Sequence, residues 1–301
     1  MDKSIVFIIP YFGNFPNYFQ AWLKTCEKNS DIEFYIFSDI KLDFKLPENV
    51  KLFSMTLNEI KNRISEIVGF ECCLNNAYKL CDYKPAYGEI FQDYISAFEY
   101  WGFCDMDLLW GNIREFITGE ILENNERILT RGHCSIFKNI STVNAYYRTL
   151  ECGKYQDYKS VFMTSENRAF DEWAAHKGGG LSYILHYNKK QMYDEKIYCD
   201  LKTKNYKFVP TSKEISTMSK FHVCKEGLVG IDKNGKERSF LYVHFQKRPI
   251  AIDKEIRYED FYFIPPILFS SDSNAKANIK YILEFYKMGL KRKIKKFFLK
   301  K

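Results

Sequence analysis

The run Ile5-Val6-Phe7-Ile8-Ile9 is apolar throughout, mostly β-branched, and stopped by Pro10. A strand without polar alternation must be covered on both faces, which is the condition of a parallel sheet with helices on either side. The stretch Tyr18–Lys28 reads as a helix, and a second apolar strand, Phe34-Tyr35-Ile36-Phe37, ends in Ser38-Asp39. Parallel strands can be joined only by a crossover, so strand, helix and strand in quick succession make a βαβ opening.

The same reading predicts strands over Lys51-Leu52-Phe53, Gly102-Phe103-Cys104, Arg127–Thr130 and Phe240–Gln246. It predicts helices over Leu57–Val68, Ala86–Tyr100, Val143–Leu150 and Asn167–Lys177, the last ended by Gly178-Gly179-Gly180. The expected fold is therefore α/β, a mostly parallel central sheet flanked by helices. No repeat, linker or boundary interrupts it, so residues 1–270 are expected to form one domain and 271–301 a tail. With 46% hydrophobic and 17% aromatic residues, a chain of 301 can bury a large core, and disorder is not expected.

The net charge of +7 belongs to the tail: Lys287–Lys301 carries eight cations and no acid, leaving −1 for the rest. That distribution argues against a nucleic-acid-binding face on the fold. In Ile279–Lys301, Tyr281, Ile282, Phe285, Leu290, Ile294, Phe297 and Phe298 recur at mostly three- to five-residue spacings among the cations, the pattern of a basic amphipathic helix on an anionic membrane surface. No apolar run reaches the ~18 to 20 residues of a membrane span, and the N-terminal run is too short for a signal peptide. Nine cysteines without a CxxC pair read as reduced thiols. The expectation is a cytoplasmic protein, peripheral on the inner face of the plasma membrane.

The sharpest chemical feature is Cys104-Asp105-Met106-Asp107, placed after the apolar Tyr100-Trp101-Gly102-Phe103. Two carboxylates with strand spacing point the same way, and their mutual repulsion invites a divalent cation. In Phe240-Leu241-Tyr242-Val243-His244-Phe245-Gln246-Lys247-Arg248-Pro249, alternation sets Tyr242, His244 and Gln246 on a polar face opposite Leu241, Val243 and Phe245. An imidazole suits a first-row metal such as manganese, and the cations of Lys247 and Arg248 suit a diphosphate.

The order Pro10-Tyr11-Phe12-Gly13, Ser38-Asp39, Lys84-Pro85, Cys104-Asp105-Met106-Asp107 and His244-Phe245-Gln246-Lys247-Arg248 resembles bacterial glycosyltransferases of capsule and O-antigen loci. Their fold is of the GT-A type, and they are distantly similar to the glycogenin and lipopolysaccharide galactosyltransferase class. The resemblance runs to about Arg248. The late motif departs from that class in lacking its glycine and its Lys-Pro-Trp ending, which leaves detailed donor contacts open.

The resemblance implies a metal site of Asp105, Asp107 and His244 holding Mn2+ (or Mg2+), with Asp105 also near the donor ribose. It implies donor contacts from Pro10, Tyr11, Phe12, Asp39, Lys84, Lys247 and Arg248. The residues alone leave other roles open: core for Tyr11 and Phe12, a turn for Asp39, a solvated charge for Lys84. Arg131-Gly132-His133-Cys134-Ser135 suits either a loop beside the donor sugar or an ordinary turn, which makes His133 a candidate. On the helix expected over Asn167–Lys177, Asp171 and Glu172 flank the stripe of Ala169, Phe170, Trp173 and Ala174. Related transferases set a carboxylate near this point against the acceptor, which nominates the pair as acceptor ligand or base.

The implied activity is hexosyl transfer from a nucleotide diphosphate sugar, a UDP-sugar, to a growing lipid-linked surface glycan, with a lean towards retention. A sugar nucleotidyltransferase would want a glycine-rich basic loop after the first strand, which Pro10-Tyr11-Phe12-Gly13 is not. A non-catalytic carbohydrate-binding or scaffold protein of polysaccharide assembly is the alternative outside enzymes.

Overall fold

The structure, a computed structural model, describes residues 4–149, 155–202, 206–210 and 218–270. The chain falls into two compact units made of interleaved segments. Met1–Asn14, Asn29–Asp105 and Ile117–Glu195 form the first, and Phe15–Lys28, Met106–Phe116 and Lys196–Lys301 the second.

The first unit holds a seven-stranded sheet of β1 (Ile5–Pro10), β2 (Ile32–Ser38), β3 (Val50–Ser54), β4 (Tyr100–Cys104), β6 (Arg127–Arg131), β7 (Cys134–Lys138) and β8 (Met192–Tyr193). Its order is β3-β2-β1-β4-β7-β6-β8. Strand β1 runs parallel to β2 and β4, and β2 parallel to β3. Strand β7 is antiparallel to both its neighbours, and β8 parallel to β6. The chain steps outward from β1 to β2 and β3, then returns to β4 on the other side of β1. Open α/β sheets bind ligands outside the carboxyl ends of their strands where the order reverses in this way. The α/β class expected from the apolar opening is the one observed.

Helix Leu57–Val68 has the range the sequence predicts. Thr56 accepts from the Glu59 amide, Glu59 reaches back to the Thr56 amide, and Gly69 closes the helix at φ 80°. Its buried Ile60, Ile64 and Val68 recur every fourth residue and join a core with Phe37, Phe91 and Trp101.

Three expected helices differ. Ala86–Tyr100 is two short helices, Tyr87–Ile90 and Gln92–Ile95, after a 3-10 stretch Ala77–Ala86. Phe91 breaks them at φ −112°, because its ring packs 4.4 Å from Phe37 and tertiary contact overrides propensity. The expected Val143–Leu150 is helix Ser141–Asn144 followed by a 3-10 turn, Tyr146–Arg148, while Leu150 lies outside the described residues. Asn167–Lys177 is a loop ending in a 3-10 turn, Ala175–Lys177. The buried Asp82 carboxylate accepts from the amides of Arg168 and Phe170, each at 2.9 Å, and Ala169 and Ala174 take positive φ of 52° and 41°. Left-handed residues cannot continue a right-handed helix. Asp82 is itself paired with the buried Lys79 at 2.7 Å.

The second unit carries two sheets. One comprises β5 (Leu108–Trp110), β9 (Cys199–Leu201), β10 (Phe208–Pro210) and β14 (Tyr242–His244), in the order β10-β9-β14-β5. The other comprises β11 (Met218–Cys224), β12 (Gly227–Asp232), β13 (Glu237–Ser239), β15 (Ala251–Ile252), β16 (Phe261–Ile264) and β17 (Ile267–Ser270), in the order β13-β12-β11-β16-β17-β15. Helix Phe19–Glu27 belongs to this unit. Its core gathers Phe208, Phe221, Phe240, Phe245 and Phe263. Gly111 passes so close to Phe240 that a Cβ would stand 2.0 Å from its carbonyl oxygen.

The strand expected over Phe240–Gln246 is only Tyr242–His244, and Gln246 and Lys247 turn the chain at φ 53° and 55°. Strand β14 lies inside its sheet, and every residue from Phe240 to Phe245 is buried, so the expected polar face is not solvated. Among the described residues no helix is long and apolar enough to cross a membrane. The helix expected over Ile279–Lys301 lies outside the described residues.

Candidate active site

In the first unit, β1, β2 and β4 are parallel, so Pro10, Asp39 and Asp105 leave the sheet at the same carboxyl edge. The Tyr11 amide donates to the Phe37 carbonyl at 2.9 Å, and the Tyr11 hydroxyl to the Asn14 carbonyl at 3.1 Å. Phe12 is half-buried against the core, whereas Asp39 is exposed.

Asp105 lies just past the end of β4, and Asp105–Asp107 forms a bend rather than strand. The alternation expected to point both carboxylates one way therefore does not apply. Asp105 instead meets Lys84, which is 7% exposed and donates from Nζ to Asp105 Oδ1 at 2.6 Å and to the Gly132 carbonyl at 2.5 Å. Asp171 Oδ2 lies 3.7 Å from the same ammonium. Burial works against the Lys84 charge, but Asp105 and Asp171 hold its pKa well above the ordinary value. Lys84 is thus no solvated charge; it is committed to protein groups.

Asp171 is 3% exposed, and burial pushes its carboxyl up to about 8 against the pull of Lys84. Glu172, next along, is exposed. His133 and Gly132 form the turn of the β6–β7 hairpin, and the His133 carbonyl accepts from the Asp105 amide at 2.9 Å. A Cβ at Gly132 would meet Glu172 Oε1 at 2.6 Å and Asp171 Oδ2 at 2.7 Å, so the carboxylate pair fills the space a side chain would take. Beneath them Arg127 is wholly buried and donates from Nη2 to Ser135 Oγ at 3.0 Å and the Asp171 carbonyl at 3.2 Å. Burial pulls its pKa down to about 9, against Asp171 and Asp194.

In the second unit, β14 sets His244 between two carboxylates. Its Nδ1 lies 2.9 Å from Asp200 Oδ1, and its Nε2 3.3 Å from Asp107 Oδ1. An ionised carboxylate only accepts, so Nδ1 carries a proton and Nε2 faces Asp107. Asp107 Oδ2 accepts from the Lys247 amide at 2.5 Å, whereas the buried Oδ1 makes no hydrogen bond: Nε2 is near enough for an ion pair but misaligned. Burial opposes the imidazolium, but Asp107 and Asp200 raise the His244 pKa to about 10. Burial likewise opposes the Asp107 charge, and His244 with the Lys247 amide keeps its pKa below the ordinary value.

Lys247 is exposed and acts on Asp107 through its main chain, and Arg248 stacks over Tyr206 at 4.4 Å. Asp200, Arg127 and the Lys79–Asp82 pair were not foreseen. Each lies far along the chain from the groups it orders, and none carries a local pattern to mark it.

The comparison with curated proteins finds no match. Among solved structures, the galactosyltransferase LgtC in complex with donor and acceptor sugar analogues matches at a TM-score of 0.38 and 8% identity, over 80% of this chain and 86% of that one. An active-site mutant of LgtC gives 0.40 and 10%, over 82% and 88%. Mouse xyloside xylosyltransferase 1, in its apo form, gives 0.37 and 10%, over 68% and 89%. Likenesses this loose assign neither activity nor substrate. By sequence, residues 7–272 match the profile of DUF6625, a family of unknown function, and the chain belongs to that family.

Proposed function

We propose that the chain is a metal-dependent glycosyltransferase of GT-A type, moving a hexose from a nucleotide diphosphate sugar, a UDP-sugar, to a glycan acceptor. The observation that carries the reading is the buried pair of Asp107 and His244, Oδ1 and Nε2 3.3 Å apart, with the other imidazole nitrogen held by Asp200. A carboxylate behind the ligating histidine is the usual support of a metal site, and the donor set suits manganese or magnesium. Asp107 and His244 would hold the cation, and Asp105, two residues along the chain, is the third candidate ligand. When bound, the cation offsets charge growing on the leaving diphosphate.

The chain's own groups supply the rest. The strand order reverses between β1 and β4, so the loop Pro10–Gly13 and Asp39 stand where an open sheet receives a nucleotide. Asp200 keeps the proton on Nδ1, which leaves the Nε2 lone pair for the metal. Lys84 fixes the Asp105 carboxylate. The exposed Glu172 is the better placed of the two acidic residues to receive a proton from an acceptor hydroxyl, since Asp171 is buried. Purified protein should hydrolyse a UDP-hexose slowly with manganese and not in chelator, and UDP with manganese should raise its Tm more than GDP or CMP does. Equal hydrolysis in chelator would exclude the metal-dependent reading.

The sequence of the tail extends the proposal to location, the cytoplasmic face of a membrane with a lipid-linked acceptor. Eight cations, each adding about 1 kcal/mol near an anionic surface, would outweigh weak apolar insertion. Flotation with anionic vesicles should weaken as salt rises, and truncation at Tyr286 should abolish it.

A further inference from the structure

Helix Leu181–Tyr187 buries Leu181, Ser182, Ile184 and Leu185 and turns Tyr183, His186 and Tyr187 outward. Those three positions are spaced three and four apart, so they share one helical face. A solvated helix face ordinarily carries charges, and here it carries rings. Tyr187 is 58% exposed. Trp173 approaches Tyr183 and His186, with centroids 6.0 Å and 5.5 Å away, and Tyr155 approaches Tyr183 and Tyr187 at 5.0 Å and 5.6 Å. Five rings thus form one cluster within the first unit, His186 and Tyr187 exposed and the other three half-buried.

The cluster is held in shape. Trp173 Nε1 donates to Thr130 Oγ1 at 2.9 Å, and the Trp173 carbonyl accepts from the Gly180 amide at 2.9 Å. Gly179 sits at φ 89°, and a Cβ there would lie 2.6 Å from Tyr155, so the glycine makes room for the ring. Trp173 directly follows Glu172, the exposed carboxylate, and Asp171. The rim therefore combines ring faces, phenolic hydroxyls and an imidazole, with a carboxylate one residue away in sequence.

We infer that Trp173, Tyr183, His186, Tyr187 and Tyr155 form a stacking platform for the pyranose rings of the acceptor glycan, next to the carboxylate that receives the acceptor's proton. The inference rests on the transferase reading. A pyranose has an apolar C–H face and a rim of hydroxyls, which fits rings with polar tips better than it fits a purely apolar patch. The exposed Glu172 immediately before Trp173 in the chain favours the acceptor as occupant over a second protein.

The test is saturation-transfer NMR on the full chain with UDP and manganese present. The probes are octyl α- and β-glycosides of glucose, galactose and N-acetylglucosamine. At least one should bind, and Trp173→Ala should weaken it at least about fivefold, with Trp173→Phe restoring most of the loss. Tyr187→Ala serves where Trp173→Ala unfolds, because so exposed a ring has no core role. The inference is overturned if no glycoside binds the wild type, or if binding survives Trp173→Ala and Tyr187→Ala unchanged. It is also overturned if the variants abolish only self-association in sedimentation. Donor hydrolysis by the wild type separates the two readings. Hydrolysis without glycoside binding removes the platform alone, and glycoside binding without hydrolysis removes the transferase.

Discussion

Asp105 and Asp107 stand two residues apart and are neutralised in different ways. Asp105, in the first unit, is matched by a buried lysine that also touches Asp171 and the Gly132 carbonyl. Asp107, in the second, is matched by an imidazole and a main-chain amide. A lysine in such a setting keeps its proton and acts as a permanent strut. An imidazole can lose its proton from Nε2 and bind a metal with the freed lone pair. The carboxylate pair was expected to need a cation to quench mutual repulsion. Each carboxylate also faces a protein cation, and of the two only the imidazole can give up its proton and bind a metal itself. The first cluster is thus suited to stability and the second to exchange.

The largest effect should come from breaking the strut. Lys84→Met leaves the buried Asp171 and the half-buried Asp105 without their ammonium and should cost about 3–5 kcal/mol, read as a lower urea midpoint. Adding Asp171→Asn should return part of it at high pH, where Asp171 would otherwise ionise without its partner. An unchanged midpoint in Lys84→Met would contradict the division between the clusters.

Next in size are the exchangeable groups. His244→Gln and Asp107→Asn should each lower transfer on the order of 10²–10³-fold and abolish the manganese-dependent rise in Tm, with less loss of stability in chelator than Lys84→Met shows. Asp200→Asn should weaken manganese binding by roughly 10–100-fold through the orientation of His244. If it behaves as wild type, Asp200 is not part of the site.

The legible parts of the fold are those whose signal is local. The apolar runs of β1 and β2 and the capped helix Leu57–Val68 sit where sequence places them, because burial on both faces and a capping box are written in adjacent residues. The loop 167–177 could not be read, because the group that captures its amides, Asp82, lies more than eighty residues upstream. The same holds for the site. Asp107 and His244 were legible as residue types near strand ends, and the structure brings them together. Asp200 sits on a three-residue strand with no period to read, and Lys84, read as a donor contact or a solvated charge, has no neighbour in sequence that marks its pairing with Asp105. The crossings between units, near Asn14, Lys28, Asp105, Phe116 and Glu195, carry no shared glycine or proline punctuation.

The first cluster also answers to pH. Burial raises the Asp171 carboxyl to about 8, from an unfolded value near 3.9. Between those values the folded chain binds a proton that the unfolded chain has released, so stability falls as pH rises. The contribution is fully present below about pH 4 and lost once pH passes about 8. One proton sets the steepest slope, about 1.4 kcal/mol per pH unit. Asp171→Asn cannot titrate, so urea unfolding from pH 5 to 8 should give a flatter curve than wild type, with the two curves separating as pH rises. Parallel curves would mean that Asp171 is already ionised across this range, and that Lys84 supports it as well as Asp105. Repeating the pair of curves in Lys84→Met sharpens the result. Without the ammonium, Asp171 should hold its proton to higher pH and the wild-type slope should extend beyond pH 8.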